Sequence, residues 1–442
     1  MKNSLLVTLL LMLSVTLFSS CEKDEESRMK VLKVYNWADY IGKDVITDFE
    51  AWYKKETGED IRVIYQTFDI NEIMLTKIER GHEDFDLICP SEYIMERMLK
   101  QNLLLPFNKD FGKTPNYILN QSPFINNQLN KLSQPNRAAA DYLVGYMWGT
   151  AGILYNTEFV DKKDVESWEC LWNPKFAQKL LMKDAYRDAY GTATIYANAK
   201  NLADGTVTVE QLMNTNTEAS IQTAEDYLKR LKPNIVGWET DFGKEMMTQK
   251  KAWLNLTWSG DAVWAQEEAA AVGVKLDYLV PIEGSNIWYD GWAIPKYARN
   301  TKAASYFVNF MCRPDIALRN MKENGYVSAI ASPEILAAYT DSTFTETVDL
   351  SYFFGADADS VHVNPIIYPG KKVVERCAMI RDFGPDTDRV LDMWSRVKGD
   401  SLGSGTLFLI IGVFALLLVT FIYRKMNKRK QANKSKKSRR RK

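Results

Sequence analysis

The sequence predicts an α/β fold built on a parallel sheet, and three observations carry that prediction. Short runs rich in β-branched and aromatic residues alternate strictly with stretches of helical periodicity from residue 31 to 102. That alternation is what parallel strands joined by crossover helices require. Helix-cap signals separate the runs, and aromatic and acidic residues collect just after the strands, where open α/β sheets bind their ligands.

VLKVYNW (31–37) is the first strand, and VITDFEAWYKKETG the first helix, with Val45, Phe49, Trp52 and Tyr53 at helical spacing and Gly58 as its cap. IRVIYQTF, NEIMLTKIERG, FDLICP and SEYIMERMLKQN continue the series strand, helix, strand, helix. The strand ends carry Trp37, Asp39 and Tyr40, then Phe68 and Asp69, then Ser91 and Tyr93. From about residue 142, DYLVGYMWGTAGILYN reads as two runs crossing from one lobe to another. A second alternating segment has a strand at 180–182, helices around 219–232 and 243–250, and the strand AWLNLTW at 252–258. LDYLVPIEGSNIWYDGWAIP follows, and TKAASYFVNFMCRP is helical.

Both ends carry membrane signals. MKNSLLVTLLLMLSVTLFSSC places Lys2, an apolar run and two small residues directly before Cys21, the layout of a secretory signal peptide. TLFLIIGVFALLLVTFIY (406–423) is long enough to span a bilayer, and the twelve Lys/Arg that follow place the C-terminus in the cytoplasm. The body between them lies outside the cytoplasmic membrane. The formal net charge of zero hides an acidic body, because removing that tail leaves 44 basic against 56 acidic residues. An acidic body favours a cationic ligand over nucleic acid. Cys89, Cys170, Cys312 and Cys377 are widely spaced with no CxxC pair, so free thiols and a disulfide both remain open.

Two histidines, His82 and His362, leave almost no material for a histidine-based triad or metal site. No GxSxG, GxxxxGKS, HExxH or GxGxxG occurs. No catalytic residue, metal or cofactor is expected. What the chain does carry is acids beside aromatics: Trp37–Asp39–Tyr40, Trp258–Asp261 and Trp288–Asp290–Trp292. An ammonium over an aromatic face gains about 0.5 to 2 kcal/mol, and its N–H groups seek carboxylates. Such stations along an aromatic slot suit an aliphatic polyamine. No arginine stands within these three clusters to clamp an anion.

At these residues the sequence resembles the substrate-binding proteins of spermidine/putrescine ABC importers, from about Leu32 to Lys398. The resemblance is carried in order by YNWADY, YQTFDINEIMLTKI, DFDLICPSEY, YMWGTAGILYN, SWECLWNPKF, LTWSGDAV, IWYDGWAIP, FMCRPDIA and NGYVSA. It implies a two-lobed periplasmic-binding-protein fold of type II with the ligand in the interlobe cleft, here with one C-terminal transmembrane helix added. It also implies lobe 1 from 31–141 and 290–334 and lobe 2 from 142–289 and 335–400. Outside these lie a lipoprotein-type signal at 1–21 with Cys21 as the lipidated residue, a tether at 22–30 and the basic tail at 424–442.

By that resemblance Asp290 and Asp261 hold ammonium groups, and Trp37, Trp258 and Trp288 wall the methylene chain. Tyr40, Ser91, Tyr93 and Asp188 complete the ends, with Asp39 and Asp184 as further candidates. Ala185 and Ile380 stand where spermidine-type members place an acid and a glutamine, and Asp261 matches the putrescine-preferring members. The implied protein is a periplasmic monomer, held at the membrane by its span and an N-terminal lipid, that delivers putrescine or spermidine to an ABC permease. A membrane-anchored polyamine sensor on the same fold and an extracytoplasmic hydrolase using Asp184 and Asp188 are the alternatives.

Overall fold

The computed structural model describes residues 27–240 and 242–399. The signal segment with Cys21, the apolar segment 406–423 and the basic tail lie outside the described residues. No helix among the described residues is long and apolar enough to cross a membrane. The chain divides into two compact units, Met1–Thr387 and Asp388–Lys442. The described part of the second unit is the helical stretch up to Gly399.

The first unit holds one sheet of eleven strands. These are β1 (Val31–Trp37), β2 (Arg62–Phe68), β3 (Leu87–Ile88), β4 (Leu104–Leu105), β5 (Leu143–Asn156), β6 (Leu180–Lys183), β7 (Ile235–Glu239), β8 (Leu254–Trp258), β9 (Leu276–Leu279), β10 (Ile287–Pro295) and β11 (Val327–Ser328). The helices that bear on the site are α1 (Val45–Thr57), α2 (Asn71–Glu79), α3 (Glu92–Lys100), α4 (Tyr186–Ala197) and α5 (Ser259–Ala271).

The expected alternation at the start of the chain is present: β1 lies between β2 and β3, parallel to both. A second parallel set places β6 between β7 and β8. The sheet as a whole is mixed, however, because the two strands joining these sets run against their neighbours. β10 pairs antiparallel with β3 and with β5, and β5 pairs antiparallel with β8. A chain that crosses in one direction along β5 and returns along β10 gives that opposition.

β5 is fourteen residues long and buried throughout, so it runs about 45 Å at roughly 3.3 Å per residue. Its first half pairs with β10 and β11, its second half with β8 and β9. Burial on both faces explains why LVGYMWGTAGILYN lacks the alternation of a half-exposed strand. Two apolar clusters flank this spine. One contains Leu32, Phe49, Ile88, Phe307 and Phe353, the other Leu154, Leu181, Met247 and Ala265. Gly149 marks the tightest point: a Cβ there would stand 2.6 Å from Ser259 Oγ and 2.6 Å from Trp288 Cζ2. The strand is therefore bare where Trp288 lies across it.

Candidate functional site

The strand ends meet helix starts, and that junction positions the polar side chains. β1 ends on Trp37, β6 on Lys183, β7 on Glu239 and β8 on Trp258. Ser91 stands at the N-terminal boundary of α3 without a side-chain capping bond, while Asp188 and Asp261 stand in the first turns of α4 and α5. First-turn acids complement the partial positive charge of a helix N-terminus.

Asp290 sits on β10 at a register shift against β5 between Asp290 and Gly291. A bulge of this kind re-aims a side chain. Asp290 is 6% exposed, and its two oxygens accept from the hydroxyls of Tyr40 and Ser91, each at 2.7 Å. Asn71 at the start of α2 donates to Ser91 Oγ at 3.0 Å and to the Tyr93 hydroxyl at 2.9 Å. Among the described residues no lysine or arginine makes an ion pair with Asp290. Burial raises its carboxyl to about pH 6, and the bonds from Ser91 and Tyr40 offset only part of that rise.

Asp188 forms a second buried acid site. Its carboxylate accepts from Asn286 at 2.9 Å and from the Trp258 indole at 3.3 Å. Burial pushes it up as well, against the lowering effect of those bonds and of the charges on Lys183 and Arg187. Asp261 differs. Burial opposes its ionisation, but Lys183 at 2.7 Å and Lys244 at 3.5 Å, with a bond from Tyr326 at 3.0 Å, hold it below the ordinary carboxylate value. The ammonium that Asp261 was expected to take from a ligand is supplied by the chain itself.

Tyr326 joins the groups. Its ring meets Trp288 at 5.3 Å and Tyr40 at 5.7 Å, both edge-on, while its hydroxyl reaches Asp261. Of the residues expected from the sequence, Tyr40, Ser91 and Asp290 form one bonded set, with Tyr93 attached through Asn71. Trp258 and Asp188 form another, and Trp288 meets the first through Tyr326. Trp37 is half-buried against Phe68, at 4.5 Å between rings. Asp39 is exposed at a positive φ of 51°, and Asp184 is exposed ahead of α4.

Three residues enter that the sequence reading gave no role: Lys183, Tyr326 and Arg187. The Arg187 guanidinium lies 3.9 Å over the Tyr93 ring and bonds the Tyr186 hydroxyl at 2.9 Å. An arginine therefore does stand at the site, although none is present in the aromatic–acid clusters. The KDAYRDAY stretch, which sets Lys183 and Arg187 beside Asp188, was the available signal.

The period of two along β10 decides its remaining neighbours. Ile287 and Tyr289 line a pocket with Phe124 and Cys377, whereas Trp288 and Asp290 do not. Trp292 is fully buried in the core, 4.7 Å from the ring of Tyr146. All four described cysteines are free thiols.

Comparison with known proteins agrees with this architecture. A family model described as bacterial extracellular solute-binding protein matches residues 46–345. The spermidine/putrescine-binding periplasmic protein of Escherichia coli is 31% identical over 324 residues, 72% of this chain and 84% of that protein. A putrescine-binding periplasmic protein of the same organism is 28% identical over 385 residues, 84% of this chain and 92% of its own. Among solved structures, the spermidine/putrescine ABC transporter substrate-binding protein of Streptococcus pneumoniae superposes with a TM-score of 0.63 at 28% identity. That match covers 84% of this chain and 98% of the other. The fold is thus the α/β fold of periplasmic binding proteins, and the chain belongs to the bacterial extracellular solute-binding protein family, a family of binding proteins and not of enzymes.

Proposed function

We propose that the protein captures an aliphatic polyamine, putrescine or spermidine, outside the cytoplasmic membrane and passes it to the permease of an ABC-type importer. The observation that carries this reading is Asp290: a carboxylate 6% exposed, held by two neutral hydroxyls, bordered by aromatic rings and without a cationic partner among the described residues. A buried charge of this kind is costly until a counter-charge meets it. A primary ammonium supplies that charge and the N–H donors, and its methylene chain suits Trp288 and Trp258. The names of the relatives support the same ligand class.

On this reading the cleft lies between one lobe built on β1–β4 and another on β6–β9, and β5 with β10 forms the crossing. Closure of the lobes around the ligand follows the hinge mode of such proteins. Tyr40, Ser91, Asp290, Tyr93 and Trp37 belong to the first wall, and Asp188 and Trp258 to the second, where Asp261 is paired with Lys183 and not left for the ligand. Lipidation at Cys21 and the span 406–423 would keep a monomeric binding protein at its permease. Titration calorimetry of the purified protein with putrescine and spermidine tests the reading. Micromolar or tighter binding is expected, and no heat at micromolar ligand would refute it.

A further inference from the structure

Lys183 is the last residue of β6, and its side chain is 2% exposed. Its ammonium lies 2.7 Å from Asp261 Oδ2, 2.6 Å from the Thr240 carbonyl oxygen and 3.5 Å from Glu239 Oε1. It also stands 4.4 Å from the centre of the Trp258 ring. A carboxylate, a carbonyl and an indole face around one ammonium make the environment that a primary amine of a ligand would seek. The end of a lysine side chain is itself a primary amine on a methylene chain. The second carboxylate oxygen is taken up by Tyr326 at 3.0 Å and Lys244 at 3.5 Å.

We propose that Lys183 is a built-in occupant of the Asp261 station, and that it sets ligand specificity by leaving two acids for the ligand instead of three. This inference rests on the polyamine reading above. Asp290 and Asp188 are buried, and among the described residues neither makes an ion pair. Their hydrogen-bonding partners are neutral hydroxyl, amide and indole donors, although the charges of Lys183 and Arg187 also act on Asp188. Arg187 is spent on the Tyr93 ring, the Tyr186 hydroxyl and the Arg381 carbonyl. Asp290 and Asp188 match the two ammonium groups of a diamine of the putrescine class; Glu92, also buried, is pushed well above the ordinary carboxylate range by burial and accepts from the Tyr289 N–H at 3.0 Å. A triamine would bring a third charge to a place where Lys183 has already satisfied the carboxylate.

Titration calorimetry of the full-length protein with putrescine and with spermidine tests the proposal. The wild type is expected to prefer putrescine. Lys183→Met removes the ammonium from Asp261 Oδ2, with Lys244 left 3.5 Å from Oδ1, and should raise spermidine affinity relative to putrescine at least tenfold; an unchanged ratio in that variant overturns the proposal. The double variant Lys183→Met/Asp261→Asn removes both charges of the pair, so it serves even if the single variant fails to fold. It should keep putrescine affinity within about threefold of wild type. A tenfold or larger loss there would show that the ligand itself uses Asp261, and would equally overturn the role given to Lys183. A wild type that binds neither amine refutes the functional reading and this inference together, whereas a wild type that binds while the variants keep its ratio refutes this inference alone.

Discussion

The Tyr40 hydroxyl donates to Oδ2 of Asp290 at 2.7 Å across 250 residues of sequence. Ser91 meets the other oxygen at the same distance. Two neutral donors orient the acid without cancelling its charge. That separation of geometry from charge underlies the predictions below.

Asp290→Asn should weaken putrescine binding by about 2 to 5 kcal/mol, the range for losing one partner of a buried hydrogen-bonded charge pair. The unliganded variant should be no less stable than wild type, because a desolvated carboxylate is replaced by a neutral amide of the same shape. Calorimetry and urea unfolding check the two halves separately. Unaltered affinity would remove Asp290 from the site.

The pH dependence follows from the same acid. Its carboxyl lies at about 6 in the fold against an ordinary 3.8, so the folded state holds the proton more tightly than the unfolded state. The stability this gives the unliganded protein is fully present below the ordinary value and is lost as pH rises through 6, about 3 kcal/mol in all. Amine affinity should move the other way, rising from pH 5 to 7 and levelling above. Asp261 has the opposite sign: lowered by Lys183, it stabilises above the ordinary carboxylate value and loses that contribution as pH falls below it. Thermal melts with and without putrescine between pH 4 and 8 separate the two.

Tyr40→Phe removes a donor that favours the ionised form of Asp290. The midpoint of the affinity–pH curve should shift upward, and Ser91→Ala should shift it the same way. A midpoint at or below the wild-type value would show that the hydroxyls do not tune the acid.

Gly149→Ala places a Cβ 2.6 Å from both Ser259 Oγ and Trp288 Cζ2, inside the buried spine. Overpacking of this sort costs about 1 to 3 kcal/mol. The urea midpoint should fall with little change in slope. Putrescine affinity should fall too, because Trp288 must move. Wild-type stability would mean that the spine yields at that point.

The early elements were legible because their signals are local: β1, α1, β2 and α2 each carry their own periodicity and turn residues. The antiparallel sense of β5 and β10 was not, since strand direction is settled by how distant segments meet. Asp290 stood out as an acid among three aromatics, and Ser91 through the PSEY stretch at a strand end. Lys183 did not stand out, because in LLMK it reads as the polar end of a short strand. Its burial depends on Asp261, Trp258 and Glu239, each supplied by another element. Tyr326 sat unremarked in NGYVSA for the same reason. Asp39 and Asp184, acids beside the expected strands, are exposed.

The β5–β10 pairing also bears on the order in which the molecule assembles. Residues 143–150 pair with residues 287–293, and residues 147 and 148 also with 327 and 328, and Asp290 lies in the first of those later segments. Closing so long a stretch of chain is entropically costly and slow. During vectorial synthesis the β1–β3 layer can form early, but its edge stays without β10 until that strand emerges. The Tyr40–Ser91–Asp290 set is therefore among the last parts of the protein to exist, and a nascent chain halted before residue 287 contains Tyr40 and Ser91 without the carboxylate they meet.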